Sequence, residues 1–127
     1  MGLGSGVDVE EIPYLCGARN RIGIAEVYER HCEALGVVTR EAPPGTPTGS
    51  TDMGDVSHAM PAIHPMFQVS NRGEGTCHES VFVGYSDSER AYAAMIRVAK
   101  AMALSAYDLM ANPATLAAAK AEFTARK

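Results

Sequence analysis

Three short segments of this chain combine residue types that could do chemistry. Residues 49–57 read GSTDMGDVS, residues 61–65 read PAIHP, and residues 77–79 read CHE. Glycine, proline, serine and aspartate favour backbone that is bent and partly exposed. These segments therefore suit a site better than a core.

His78 is the strongest single candidate, as a ligand of zinc. A neutral imidazole on a turn directly after a strand is a good zinc ligand, although a lone histidine is more often structural. Cys77 precedes it, but adjacent residues of an extended chain point to opposite faces and rarely share one ion. A buried thiol is the expectation for Cys77. His31 lies on the apolar face of a predicted helix and is expected to be a packed core or boundary residue.

The acidic residues of the first segment have several interpretations. Asp52 and Asp55 could each be a metal ligand, a residue that orients a ligand, or a loop residue that bonds its own backbone. For Asp55 the last interpretation is the strongest. Gly54 would let the backbone approach a ligand or adopt a positive φ. His58 could equally be a surface side chain.

Length and charge exclude several classes of protein. A chain of 127 residues fits one domain, or part of one, and can bury a core. A net charge of −4 with 11 scattered basic residues gives no basic stripe for nucleic acid. No apolar run is long enough to span a membrane, and three cysteines at irregular spacing fit a reducing compartment. We expect a cytoplasmic protein that binds neither nucleic acid nor membrane.

Short strands and helices must position the candidate residues. Residues 7–12 alternate apolar and acidic side chains, as in a short edge strand. Asn20 is the predicted N-cap of a helix that runs to about Leu35, with Gly36 as its C′ residue. Its predicted buried face consists of Ile24, Val27, Tyr28, His31 and Leu35.

The middle of the chain is predicted to be a loop followed by strand-like pieces. Residues 41–49 contain three prolines and cannot form regular structure. Residues 56–60 and 63–69 are apolar-rich and separated by Pro61, which predicts two strand-like pieces or one bent strand. Residues 71–75 predict a turn.

The C-terminal third predicts two helices. Ser86 and Glu89 fit a capping box that would begin the strongest helix, and that helix should end before Pro113. Asn112 can cap a last helix, with Pro113 at its first position, that runs toward Phe123. The predicted buried stripe of the first of these helices consists of Ala91, Met95, Val98, Met102, Ala106 and Leu109. The expected fold is α/β, with a few strands packed against two to three helices and the motif loops at the strand ends.

The motif segments resemble a known family. GSTDMGDVSHAMPAIHP, followed after a spacer by HESVF, resembles the C-terminal end of the zinc-dependent amidohydrolases related to aminoacylase, carboxypeptidase G and p-aminobenzoyl-glutamate hydrolase. The closest resemblance is to the aminoacylase-like dipeptidase branch. Residues 20–36 look like the helix that opens the second half of that family's catalytic domain, and residues 100–123 look like its closing segment. The resemblance covers the chain from about Val7 onward.

The resemblance implies a domain organisation and a set of roles. Residues 15–127 would be the C-terminal half of the catalytic domain, which is half of a larger zinc-hydrolase fold. Residues 1–14 would be the end of the lid or dimerisation domain, or a frayed edge strand. His78 stands at the place of the family's last metal ligand. The residues expected to contact substrate or to support a ligand are Ser50, Thr51, Asp52, Gly54 and His64.

The resemblance also implies what the chain lacks. The family uses two zinc ions, with manganese or cobalt as alternatives, and its other ligands and glutamate base lie in an H-x-D strand and a Glu-Glu pair upstream. No H-x-D occurs here, and the adjacent pair Glu10 and Glu11 lies in the predicted N-terminal strand. His78 is therefore one donor of a site that needs several, and we assign no catalytic residue. Glu79 stands where family members often have Thr or Ser.

Two hypotheses follow from these observations. The first is a C-terminal part of a metal-dependent hydrolase that cleaves a small amide, such as a dipeptide, an N-acyl amino acid or aminobenzoyl-glutamate, and that is inactive alone. Its expected partner is the missing N-terminal half or a homo-oligomer. The second is a non-catalytic α/β interaction domain whose Met-rich apolar faces associate with another chain.

Overall fold

The computed structural model of the chain describes residues 10–11, 23–40, 51–71, 74–75 and 77–125. Two short strands and five helices follow one another along these residues: β1 Glu10–Glu11, α1 Ile24–Ala34, β2 Val38–Thr39, α2 Met53–Ala59, α3 Phe82–Ser86, α4 Glu89–Ala111 and α5 Pro113–Thr124. β1 and β2 pair in parallel, with Glu10 opposite Val38 and Glu11 opposite Thr39. The described strands are this pair, and the predicted α/β fold with part of a catalytic-domain sheet stays a prediction.

Helix α1 ends as its sequence predicts. Gly36 has a φ of 72°, and its N–H donates to the Glu33 carbonyl at 3.0 Å. The Val37 N–H donates to the Cys32 carbonyl at 2.8 Å, which completes a Schellman motif. Val37 is buried, so this cap also directs the chain into the core on its way to β2.

The start of α1 differs from the predicted start. The described helix begins at Ile24 with Gly23 as its N-cap residue, and no side chain caps it. Gly23 has a φ of 108°, and a Cβ at this position would lie 3.3 Å from the Cα of Ala119 in α5. Glycine is needed here because the backbone is left-handed and packs closely against α5. The predicted cap Asn20 lies outside the described residues.

The core lies between α1 and α4. Tyr28 and Cys32 of α1, Val37, and Val98 and Ala101 of α4 form its buried cluster. On α1 the prediction is largely confirmed, since Val27 and Tyr28 are buried and Ile24, His31 and Leu35 are half-buried. Cys32 adds to the same face.

The buried face of α4 shares Ala91 and Val98 with the predicted stripe but otherwise differs from it. Its buried residues are Ala91, Ala94, Val98, Ala101 and Ser105, whereas Met95 and Met102 are about half exposed. The small side chains allow the α4 backbone to approach α1 closely enough to enclose the large ring of Tyr28. The prediction favoured Met95 and Met102 because they are the more hydrophobic residues. The contact between α4 and α1 depends instead on side chains of small volume.

The two C-terminal helices begin at well-formed caps. Ser88 is extended, and its hydroxyl accepts the Ala91 N–H at 3.2 Å, so α4 begins two residues later than predicted. Ser86 is not the cap because it ends α3 and donates its hydroxyl to the Phe82 carbonyl at 2.9 Å. The predicted cap of α5 is confirmed, since Asn112 Oδ1 accepts the N–H groups of Ala114 and Thr115.

Candidate functional site

The first motif segment forms a short exposed helix, where a strand-like piece was predicted over residues 56–60. Asp52 precedes α2 in helical conformation, without a side-chain cap, and α2 has no buried residue. The Thr51 hydroxyl oxygen accepts the Met53 N–H at 3.3 Å, and Ser57 donates to the Gly54 carbonyl at 2.6 Å. A helix forms because these local hydrogen bonds pair the backbone, whereas a strand would need a partner strand.

The predicted site residues of this segment are accessible. Thr51 and Asp52 are exposed and Gly54 is half-buried, while Ser50 lies outside the described residues. A Cβ added at Gly54 would meet no atom within 4 Å, so no close approach within the chain requires glycine there. Asp52 and Thr51 are therefore free to face a ligand, although their hydrogen bonds are local.

The segment after α2 connects this motif to the core. Residues 61–68 have no regular secondary structure, so the strand predicted over residues 63–69 is wrong. Ile63 and Phe67 pack against the cluster between α1 and α4. His64 lies between these two anchors and is half-buried. The residues on both sides of it are held by the core, and its supporting role stays a prediction.

His78 lies on an exposed turn in an uncommon backbone conformation. Its φ is 80°, which non-glycine residues adopt only rarely and mostly at turns or special sites. Cys77 is exposed, so the predicted buried thiol is wrong: the turn projects both side chains toward solvent, and no strand alternates them between core and solvent. The imidazole of His78 is thus available to an external metal or ligand.

The His78 turn packs closely against Gly75, which precedes it in the chain. Gly75 has a φ of 145°, and a Cβ there would lie 2.9 Å from Cγ1 of Val81 and 3.2 Å from Oε2 of Glu79. Only glycine fits this position without displacing the residues that follow His78. A side chain at Gly75 is therefore expected to deform the turn.

A polar link joins this region to the start of α4. Asn71 donates to Glu74 from both its backbone and its side chain, at 2.8 Å each, and Arg90 donates to Asn71 Oδ1. The hydrogen bonds from the Asn71 side chain and backbone, with the nearby charge of Arg90, hold the pKa of Glu74 below its ordinary value. The Glu74 N–H donates to the Asn71 carbonyl at 3.2 Å, which agrees with the predicted turn at residues 71–75, whose central residues 72 and 73 lie outside the described ranges.

The described residues do not by themselves form a metal site. No group of three or more His, Cys, Asp or Glu side chains among them could hold a metal ion, so Asp52, His64 and His78 are not gathered into one ligand set. A zinc site needs at least three protein donors. We therefore derive no catalytic step through a metal from this chain.

A second titratable cluster, which the sequence did not indicate, lies where α1 meets α4. His31 Nε2 lies 2.8 Å from Asp108 Oδ2, and Arg30 donates to the same oxygen at 3.2 Å. The hydrogen bond from His31, aided by Arg30, lowers the pKa of Asp108. Because these residues are 77 and 78 positions apart, no local motif could reveal them. They form an ion-pair cluster that joins the two core helices.

An open groove lies between α1 and β2, and Arg30 of the ion-pair cluster also lines it. Its volume is about 560 Å³, and its lining includes three glutamates of α1, Glu26, Glu29 and Glu33, with Val38 and Thr39 of β2. The groove shares none of its lining residues with the motif segments. It is thus distinct from the surface that bears the predicted site residues.

Comparison with curated proteins relates the chain to peptidases. It is 31% identical over 102 residues to a mouse protein named Xaa-Arg dipeptidase, a match that spans 79% of this chain and 23% of the mouse protein. It is 34% identical over 77 residues to the human protein of the same name, spanning 61% of this chain and 17% of the human protein. No family model matches the chain, and no solved structure matches it.

These matches define a class of protein at a coarse level. They support a relationship to a dipeptidase-like hydrolase family and identify no subfamily among the amidohydrolases. The chain spans less than a quarter of the length of either relative. Since the mouse match covers about 100 of the 127 residues, any contiguous placement includes both Thr51 and His78.

No helix in the described ranges has the combination of length and apolar character that crossing a membrane requires.

Proposed function

We propose that this chain is the C-terminal part of the catalytic domain of a metal-dependent dipeptidase of the aminoacylase-like kind. The observation that carries the proposal is the similarity to the mouse dipeptidase, which includes the motif segments whatever its exact ends. The exposure of His78 on its turn also supports the proposal, because a solvent-accessible imidazole can bind an added metal.

In this proposal His78 contributes one ligand, and Thr51 and Asp52 line the substrate end of the site. The remaining ligands and the general base come from polypeptide that this chain does not contain, since three donors are the minimum for a catalytic zinc. The substrate would be a dipeptide or a related small amide, and the relatives' name points to arginine as the C-terminal residue of a dipeptide. The chain alone would not hydrolyse it, and the site would hold two zinc ions, or manganese or cobalt.

The activity can be tested in a chimera. The region of the mouse Xaa-Arg dipeptidase that matches this chain would be replaced by the chain itself, and hydrolysis of dipeptides ending in arginine would be measured. We expect activity that a chelator abolishes, that His78→Ala removes and that His58→Ala leaves unchanged. His58 is a matched control because it is also exposed and lies in the motif helix α2. A folded chimera with equal activity in both variants would refute the role of His78.

Zinc binding tests the ligand role without any activity. In a zinc titration of the chimera, which supplies the remaining ligands, the imidazole NMR signals of His78 should shift at lower zinc concentrations than those of His58 and His64. His78→Ala should weaken zinc binding at least about tenfold, because the loss of a direct ligand costs no less than the loss of a residue supporting one. A first response at another histidine would contradict the assignment.

A second candidate function is a non-catalytic interaction domain. The observation that favours it is the number of large apolar side chains that α4 exposes, six of them at fractions of 45% or more. In that case the chimera would be inactive although folded, and the chain would bind a partner through α4. The chimera assay therefore separates the two functions.

A further inference from the structure

The outer face of α4 bears an apolar seam with a regular repeat. We define the α4 seam as the residues Tyr92, Met95, Ile96, Ala99, Met102, Ala103, Ala106 and Met110, all of which are exposed. Its large members are between 45% and 78% exposed. The helix therefore has two apolar faces, of which only the face with Ala94 and Ala101 is covered by α1.

The spacing within the α4 seam is seven residues. Tyr92, Ala99 and Ala106 form one series, Met95 and Met102 a second, and Ile96, Ala103 and Met110 a third. Apolar positions that repeat every seven residues form a continuous strip along a helix that fits a second helix, with side chains packing into gaps of the partner. The repeat therefore indicates that the binding partner of the α4 seam is another long helix.

The apolar area of the α4 seam and the positions of the charged residues of α4 are consistent with a helical partner. If each large side chain offers roughly 200 Å² when fully exposed, those of the seam and its flanking Tyr107 present on the order of 700 Å². That approaches the approximately 800 Å² that each partner contributes to a standard interface, and it exceeds the largest apolar patch of most monomers. Four of the five charged residues of α4 lie off the seam, namely Arg90, Arg97, Lys100 and Asp108, while Glu89 lies at its N-terminal end, seven residues before Ile96.

We propose that two copies of this chain associate through the α4 seam, helix against helix, in a symmetric dimer. A second copy is guaranteed to carry a helix of the same length and the same seven-residue repeat. Three alanines in the middle of the seam allow the two backbones to approach closely, while Tyr92 and Met110 at its ends supply bulk. In an antiparallel pair that aligns Tyr92 of one helix with Met110 of the other, Ile96 lies opposite Ala106 and Ala99 opposite Ala103, so the same surface faces itself.

The dimer deepens the second candidate function, an interaction domain that binds through α4, and it does not require the proposed hydrolase activity, because His78 and Asp52 lie outside α4. Sedimentation equilibrium of the full chain over a range of concentrations measures it directly. We expect a monomer–dimer equilibrium for the natural chain, and at least about a 100-fold weaker association for Met95→Glu/Met102→Glu, which would bury four carboxylates in the dimer.

Leu104→Glu is the matched control. Leu104 is an exposed apolar residue of the same helix, 41% exposed, but it lies off the seam, so the dimer should persist in this variant. Circular dichroism of each variant shows whether α4 is still folded, and Ala103→Glu provides a second test at the centre of the seam. A natural chain that stays monomeric at all concentrations, or equal weakening by Leu104→Glu and the seam variants, would overturn the proposal.

Discussion

The scaffold of α1 and α4 and the motif region of residues 51–88 are stabilised by different means. Between the two helices, Tyr28 and Cys32 are almost wholly buried and pack with Val98 and Ala101 of α4. In the motif region Ser70 alone among the described residues is buried, and local hydrogen bonds and a few anchors hold the rest. The core therefore determines where the candidate site lies, whereas hydrogen bonds within the motif region determine its shape.

The core should respond most strongly to substitution. Tyr28→Ala removes a large ring from a nearly closed space and is expected to lower the free energy of unfolding by about 3–4 kcal/mol. Because Ile63 and Phe67 pack on the same cluster, the motif region should lose order in parallel. Urea denaturation followed by circular dichroism measures the change. Tyr107→Ala, at a residue 64% exposed, should stay within about 0.5 kcal/mol of the natural chain.

A change at Gly75 should affect the motif region and leave the scaffold intact. Gly75→Ala forces a side chain into a left-handed backbone and against Val81, at an expected cost of about 1–3 kcal/mol. Amide hydrogen exchange should accelerate in residues 77–81 and change little in α1. Gly84→Ala is the control, since a Cβ there meets nothing within 4 Å and alanine favours the helix. Equal effects of the two substitutions would remove the distinction between the two regions.

Substitutions at Ser86 and Ser88 test where the motif region ends and α4 begins. Ser88→Ala should cost about 1 kcal/mol, because the Ala91 N–H loses its acceptor. Ser86→Ala should cost less, since its hydroxyl only donates to a carbonyl of the preceding turn. Thermal unfolding of both variants compares them. A larger loss for Ser86→Ala would restore the capping box that the sequence suggested.

Lowering the pH should also distinguish the two regions, by a smaller change in stability than the substitutions above. The pKa of Asp108 is lowered by His31 and that of Glu74 by Asn71. A carboxyl whose folded pKa lies below its unfolded value contributes stability that is present above the unfolded pKa and is lost as pH falls through the folded pKa. Below about pH 4, the ordinary range of aspartate, the natural chain should therefore lose its advantage over Asp108→Asn.

The matched variant in the motif region is Glu74→Gln. We expect it to alter amide exchange near Asn71 at neutral pH while the urea midpoint stays nearly constant. Asp108→Asn should instead shift the urea midpoint at neutral pH, and that shift should shrink as the pH falls through the lowered pKa of Asp108. A pH-independent difference between the natural chain and Asp108→Asn would show that the carboxylate charge does not hold α1 to α4.

Helix ends were the most predictable part of the fold, because their signals are local. Gly36 as a C′ residue, and Asn112 with Pro113 at the start of α5, each act through backbone conformation and hydrogen bonds within a few residues. The start of α4 was misplaced by two residues because two serines could each serve as the cap. The side chain that takes this role depends on how α3 ends, which is a matter of the local fold.

Features that depend on tertiary structure were predicted less well. The strand predicted over residues 56–60 forms helix α2, since apolar content alone does not distinguish a short strand from a short helix. The pairing of His31 with Asp108 depends on two helices far apart in sequence. For the candidate site, the sequence identified His78 and Asp52 through family resemblance, but their exposure and the positive φ of His78 required the structure.

The contact between α1 and α4 also closes a long loop, because His31 and Asp108 are separated by 77 positions. Every motif residue from Thr51 to His78 lies inside that loop. The entropy cost of closing a flexible loop grows only logarithmically, by about 0.6 kcal/mol for each doubling of its length. The segment between the two helices can therefore gain or lose residues during evolution at little cost to the scaffold, so the motif region can diverge while the helix pair remains the same.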